Sequence, residues 1–326
     1  MKWLIRIVLT LAAVLVIAFL VFRTPDTDAS EMRAKYGDEP SQFVKLATGL
    51  TVHLRDEGPR DAPAIILLHG ANSSLHTWDE WTQSLSEEYR VIRYDQVGHG
   101  LTGPAPDGDY SKERFVADVD AIANHFGLAR FVLAGNSMGG WVSTAYAIEH
   151  SDRVTGLALL NASGAPRNKE EERLYLGAKI AQTPVLNSLM TTVTPRSLVR
   201  SSLEDAVADP ASISDVEVER YWELLRYPGN RQAVVDRANT ARGGPFDPVD
   251  IAALPMPALI IWGEEDRVTP VSGAEWYAEH LANDTTVIYP DVAHLPMEEA
   301  ADASVADFKS WLANLELTNQ DTQSEQ

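Results

Sequence analysis

Phe131-Val132-Leu133-Ala134-Gly135-Asn136-Ser137-Met138-Gly139-Gly140 is the stretch on which the fold turns. The apolar run ending at Ala134 reads as a buried strand, and residues 138–150 carry apolar side chains at helical spacing. Between them the chain reverses within a few residues. Such a turn demands glycine two positions before and two after Ser137, because a Cβ there would run into neighbouring backbone. Gly140 lets the new helix pack close to the strand. A serine held on this turn projects from the sheet edge, and the helix N-terminus beneath it favours developing negative charge.

On both sides of the turn, strands and helical patterns alternate. Residues 42–46 and 50–55 read as short strands split by the Thr48-Gly49 turn. Residues 64–68 form a continuous apolar run, as expected for a strand covered on both faces. Residues 90–94, 154–160, 258–262 and 286–289 are further strands, with helices over 112–126 and 271–281. This alternation predicts an α/β fold with a mostly parallel sheet and helices on both faces. Residues 165–247 break it: helices are expected at 170–180 and 215–225, punctuated by Pro184, Pro195, Pro210, Pro228 and Pro245. An all-helical insertion between two core strands reads as a cap over one sheet edge, dividing the core into 42–164 and 248–315. Residues 316–326 are a polar tail, expected to be disordered from Thr318 onward.

A serine hydroxyl needs a base to take its proton and an acid to fix the base's tautomer. Around a turn of this kind the acid and then the histidine follow the serine along the chain. The histidines after Ser137 are His150, His280 and His294. The first two fall late in helices; His294 lies in the loop after the last strand, beside the turn, and is the expected base. The acid is expected in Glu264-Glu265-Asp266, with Asp266 and Glu265 as candidates. Two backbone N–H groups must also meet the oxyanion, and losing one typically costs roughly 3–4 kcal/mol of barrier. Met138 supplies one. The loop His69-Gly70-Ala71-Asn72 supplies the other, from Ala71 or, failing that, Asn72, with His69 as a loop organiser.

The N-terminus has a different character. Residues 3–22 carry a single charge, Arg6, and as a helix would span about 30 Å, the thickness of a bilayer core. Residues 1–23 are therefore expected to be a single-pass membrane anchor and 24–41 a tether. A cleaved signal peptide, with Lys2 and Arg6 as its basic end, would instead secrete the chain; a buried core helix is the third reading. Lys2 and Arg6 favour an extracytoplasmic catalytic domain, while Arg23, Arg33 and Lys35 pull the other way.

Composition narrows the function further. A net charge of −20 with no basic cluster argues against nucleic acid as a partner. The chain has no cysteine, so disulfides, thiolate metal sites and a cysteine nucleophile are excluded.

With these residues assembled, the chain resembles the α/β-hydrolase superfamily. The motifs are His69-Gly70 with Ser74 and Trp78, Asp95-Gln96-Val97-Gly98-His99-Gly100, Gly135 to Gly140, Gly263 and Asp266 with Pro270, and His294 with Glu298. Within it, the chain is similar to serine-nucleophile members with a helical cap, including membrane-anchored monoacylglycerol lipases. The resemblance implies a Ser137–Asp266–His294 triad, Ala71 and Met138 as oxyanion donors, no cofactor, and a mainly structural loop at Asp95 and His99. It implies cleavage of hydrophobic, lipid-like esters through an acyl-enzyme. Dehalogenases and epoxide hydrolases of this fold carry aspartate where Ser137 stands. Carbon–carbon bond hydrolases share the Gly-Asn-Ser-Met-Gly-Gly turn but usually place tryptophan where this chain has Leu295. Cofactorless perhydrolases use the same triad, and a catalytically silent binding protein on this scaffold is the alternative of a different class.

Overall fold

The computed structural model describes residues 2–167, 183, 191–240 and 245–324. Its centre is an eight-stranded sheet of order β1-β2-β4-β3-β5-β6-β7-β8. The strands are β1 (Ser41–Lys45), β2 (Thr51–Glu57), β3 (Ala64–Leu68), β4 (Arg90–Tyr94), β5 (Phe131–Asn136), β6 (Val154–Leu160), β7 (Ala258–Gly263) and β8 (Asp284–Tyr289). Every expected strand is present, with ends shifted by no more than two residues. β1–β2 and β2–β4 pair antiparallel; the other pairs are parallel.

β3 shows why an apolar run without alternation belongs at the centre. Ile66 and Leu68 enter one core with Val119, Trp141, Tyr146 and Tyr277. Ile65 and Leu67 enter the other with Trp78, Trp81, Phe308 and Trp311. Helices α4 (Lys112–His125), α5 (Met138–Glu149) and α10 (Ser272–His280) supply the first core. Helices α3 (Asp79–Leu85), α11 (Pro296–Glu299) and α12 (Ala301–Ser324) supply the second. The parallel strands all end on the same edge, and the loops there carry His69, Ser137, Asn161, Asp266 and His294. That edge is where open parallel sheets bind ligands.

Between β6 and β7 the described residues form α6 (Arg196–Glu204), α7 (Asp215–Leu225) and α8 (Asn230–Asn239), followed by the short α9 (Pro248–Ala252). A capping box at Ser214 and Glu217 starts α7 where it was expected. The helix expected at 170–180 lies outside the described residues. So do the apolar Leu174, Leu176, Ile180, Leu186, Leu189 and Met190, which the sequence offers as an acyl-tunnel wall.

One expectation needs correction. The tether is not free: α2 (Ala29–Tyr36) forms within it, N-capped by the Asp28 side chain, and the segment is strapped to the cap. Thr24 N–H donates to the Thr192 carbonyl at 2.8 Å and Thr27 N–H to the Arg226 carbonyl at 2.9 Å. Arg231 pairs with Asp26 at 2.6 Å, and Glu223 takes both Lys35 and Tyr36 at 2.6 Å. Met32 is buried with Leu101, Leu224 and Tyr227. Charge and proline suit an open linker and a docked strap equally, and the partners lie some 170–200 positions away. At the C-terminal end, α12 runs on to Ser324. Leu315 is buried, and no glycine or proline follows in the sequence to end the helix.

At the other end, α1 (Lys2–Phe22) is a single helix of 21 residues. Trp3, Leu9, Val16, Ile17, Leu20 and Phe22 are each more than half exposed, so the buried-core-helix reading fails. Among the described residues no helix is long and apolar enough to cross a membrane; several α1 side chains fall outside them. The spanning reading therefore rests on the sequence.

Candidate active site

Ser137 sits between β5 and α5 with φ +54° and ψ −115°, a left-handed conformation costly for a non-glycine residue. The surroundings hold it there: Ser137 N–H donates to the Leu160 carbonyl, and the Ser137 carbonyl accepts from Ser163 and Trp141 N–H. The turn tolerates no Cβ beside it. One added to Gly139 would lie 2.2 Å from the Leu68 carbonyl oxygen. Gly139→Ala should therefore destabilise the protein by about 1–3 kcal/mol or more, read as a lower urea midpoint; an unchanged midpoint would contradict this packing.

The expected acid and base meet. His294 Nδ1 lies 2.7 Å from Asp266 Oδ2, with both residues buried. Asp266 Oδ1 accepts from Val268 N–H at 2.6 Å and Thr269 N–H at 3.1 Å. Oδ2 also receives Asn161 Nδ2 at 2.5 Å, and the Thr269 hydroxyl lies 2.6 Å away. Burial pushes the Asp266 pKa up, but the neighbouring His294 and these hydrogen bonds prevail and hold it below the ordinary carboxylate value. Glu265, the other candidate acid, is exposed. Asn136 Nδ2 ties the turn to the His294 loop by donating to the His294 carbonyl at 3.0 Å. Among the described residues, Ser137 Oγ and His294 Nε2 are not hydrogen-bonded to each other, a looseness common before substrate binds.

The loop after β3 presses on the serine: a Cβ at Gly70 would lie 3.2 Å from Ser137 Cβ. Among the described residues, neither Ala71 N–H nor Met138 N–H has a hydrogen-bond partner. His69 organises this loop, accepting from Gln96 N–H on Nε2 and donating from Nδ1 to the Gly70 carbonyl. Asp95 is likewise structural, taking Leu75 N–H, Leu101 N–H and His53 Nδ1. A cavity of about 510 Å³ opens at the opposite edge of the sheet, beside Ala64, Phe131 and Leu315, far from this chemistry.

Residues 63–301 match the family model described as alpha/beta hydrolase fold. The chain belongs to that family. It is an α/β hydrolase, and similar proteins differ in the bond they cleave. A 2-hydroxymuconate semialdehyde hydrolase of Pseudomonas putida is 28% identical over 275 residues, covering 82% of this chain and 92% of that protein. A bifunctional esterase/perhydrolase of Acinetobacter calcoaceticus is 28% identical over 278 residues, covering 79% and 95%. The solved structure of a membrane phospholipase A, described as a bacterial virulence factor, has the same fold. It matches with a TM-score of 0.72 at 22% identity, over 97% of this chain and 99% of its own.

Two residues at this edge of the hydrolase escape motif reading. Asn161, buried at the end of β6 with φ +45°, bonds Asp266, the Ala293 carbonyl and Gly263 N–H, joining three loops. An asparagine just past a strand end is the only signal in the sequence. Arg237 of α8 reaches the same edge from the cap, and nothing in its sequence context marks it.

Proposed function

We propose that this hydrolase cleaves carboxylic esters of hydrophobic, lipid-like substrates through an acyl-enzyme. The observation that carries the reading is the buried Asp266–His294 pair tied against Ser137 on its strained turn. Ser137 attacks the ester carbonyl while His294 Nε2 takes its proton. Ala71 and Met138 N–H hold the oxyanion. His294 then passes the proton to the leaving alcohol, and water repeats the sequence on the acyl-enzyme, returning the serine and releasing the acid. Asp266 holds His294 in the tautomer whose Nε2 is free to accept. No cofactor enters these steps.

The lipid-like substrate and the membrane setting rest on α1. An exposed apolar helix of this length fits a bilayer, and the similarity to a membrane phospholipase A extends over 97% of the chain. We place the catalytic domain outside the cytoplasm, following Lys2 and Arg6. The names of the relatives support carbon–carbon bond hydrolysis as a second reading.

The test combines a fluorophosphonate probe with a series of soluble esters of two to ten acyl carbons. Each buried methylene is worth about 0.8 kcal/mol, so four more carbons should raise kcat/KM by roughly two orders of magnitude if their contacts persist in the transition state. A steady fall beyond acetate would sink the lipid-like substrate, and turnover of a ring-cleavage dienoate without ester turnover would favour the second reading. Full-length protein should resist extraction from membranes by carbonate. A soluble form must keep the strap: a chain starting at Arg23 should retain short-ester turnover. One starting at Glu31 loses the Thr24, Asp26 and Thr27 contacts and should melt lower.

A further inference from the structure

The main chain at His294 is held from the cap. His294 N–H donates to the Ala206 carbonyl at 2.9 Å, and Ala206 belongs to the cap segment that follows α6. Two residues on, Ala208 N–H donates to Glu299 Oε2 at 2.7 Å. The same carboxylate receives the two backbone groups that flank His294. Leu295 N–H reaches Oε1 at 2.9 Å, and Ala293 N–H lies 3.2 Å from Oε1 and 3.1 Å from Oε2. One side chain at the end of α11 thus joins both neighbours of His294 to the cap. Val207, between the two cap contacts, is buried in the same core as Leu295 and Met297.

The adjacent glutamate is engaged elsewhere. Glu298 Oε1 accepts from the Tyr221 hydroxyl of α7 at 3.0 Å and from the Thr77 hydroxyl. Tyr221 in turn lies 3.1 Å from Ser73 Oγ. Glu298, the glutamate paired with His294 in the family resemblance, therefore ties the cap to the loop after β3, and the His294 loop falls to Glu299. A carboxylate suits that place, because it offers two accepting oxygens and no donor to three converging N–H groups. An amide could not replace it. Leu295 N–H and Ala208 N–H face different oxygens, so the new NH2 would meet one of the two.

We infer that Glu299 is a positioning residue for the Ser137 reaction: it fixes the backbone on both sides of His294 and locks that backbone to cap residues 206–208. It acts through His294 and not on substrate. Its effect lies in the aim of His294 Nε2, which must come within hydrogen-bond reach of Ser137 Oγ to take its proton. Asp266 holds the ring from the Nδ1 side, while Glu299 and Ala206 hold the main chain that carries the ring. A cap displaced at residues 206–208 takes the proposed base with it, so cap placement and proton transfer are coupled. The inference rests on the pairing of His294 with Ser137, whichever bond the enzyme cleaves.

The test uses full-length protein and the rate at which a fluorophosphonate labels Ser137, a step that needs the base but no particular substrate. In Glu299→Gln the saturating labelling rate should fall about ten- to a hundredfold, the scale of a small misplacement of a reacting group. The probe concentration that gives half this rate should stay near the parent's, because the loss lies in the reacting step and not in binding. Both are measured well below the variant's melting temperature and with its circular dichroism unchanged. There, a residue that only stabilises the fold would leave the rate at the parent's value. Equal saturating rates overturn the inference, whatever the shift in melting temperature, and so does a loss confined to probe affinity. Should Glu299→Gln not fold, Glu299→Asp takes its place. It keeps the charge but withdraws both oxygens by one methylene, and it should show the same split; a parent-like rate there overturns the inference. A parent that does not label at Ser137 at all would instead sink the triad, and the role of Glu299 with it.

Discussion

Ser137→Ala should abolish fluorophosphonate labelling and lower kcat by up to about a millionfold, leaving only what oxyanion donors and binding supply without a nucleophile. The loss should come without unfolding. Alanine meets the same backbone cost at φ +54°, and the hydrogen bonds that hold the turn use the Ser137 backbone N–H and carbonyl, which the substitution keeps. Ser137→Gly should be equally inactive but melt higher, because glycine takes that φ without strain. A Ser137→Ala protein that still labels at full stoichiometry would place the nucleophile elsewhere.

Asp266→Asn should be nearly as damaging, for a reason visible in its donors. Oδ1 faces two backbone N–H groups that cannot turn away, Val268 and Thr269. The new amide must therefore direct its NH2 toward the Oδ2 side, where Asn161 Nδ2 and His294 Nδ1 now donate. His294 can answer by moving its proton to Nε2, which then cannot accept from Ser137. A loss in kcat on the order of ten-thousandfold is expected, with substrate binding retained. Near-normal turnover would remove Asp266 from the mechanism. The same change carries a pH signature. The folded pKa of Asp266 is depressed, so its stabilisation is present above the ordinary aspartate value of about 3.9 and is lost as pH falls through the folded value. Melting temperatures on acidification should therefore drop less steeply in Asp266→Asn than in the parent.

How far the site could be read from the chain differs residue by residue. Ser137 was legible because its chemistry and its backbone geometry share one local signature: glycines at fixed offsets between an apolar strand and a helix. His294 and Asp266 were legible because each follows a recognisable strand, and the order of parallel strands sends their loops to one edge. Asn161 and Arg237 were not. Each acts through partners supplied by distant segments: Asn161 bonds loops more than 100 positions away, and Arg237 reaches residues 99–165 positions earlier in the chain. No periodicity or motif records such a meeting.

The sequence by itself determined the sheet and the turn, because strand burial, helix spacing and glycine placement are local properties written in consecutive residues. It also determined the apolar stretch of α1, which depends on composition alone. Only the tertiary structure decided that residues 24–36 are strapped to the cap, that one buried asparagine after β6 joins the loops after β7 and β8, and that a cap arginine enters the edge beside Ser137. Those outcomes depend on which polar groups become neighbours once the core excludes water. Within a buried site a hydrogen bond left unmade is costly, so the final pairings are chosen by proximity in the folded chain rather than by order along it.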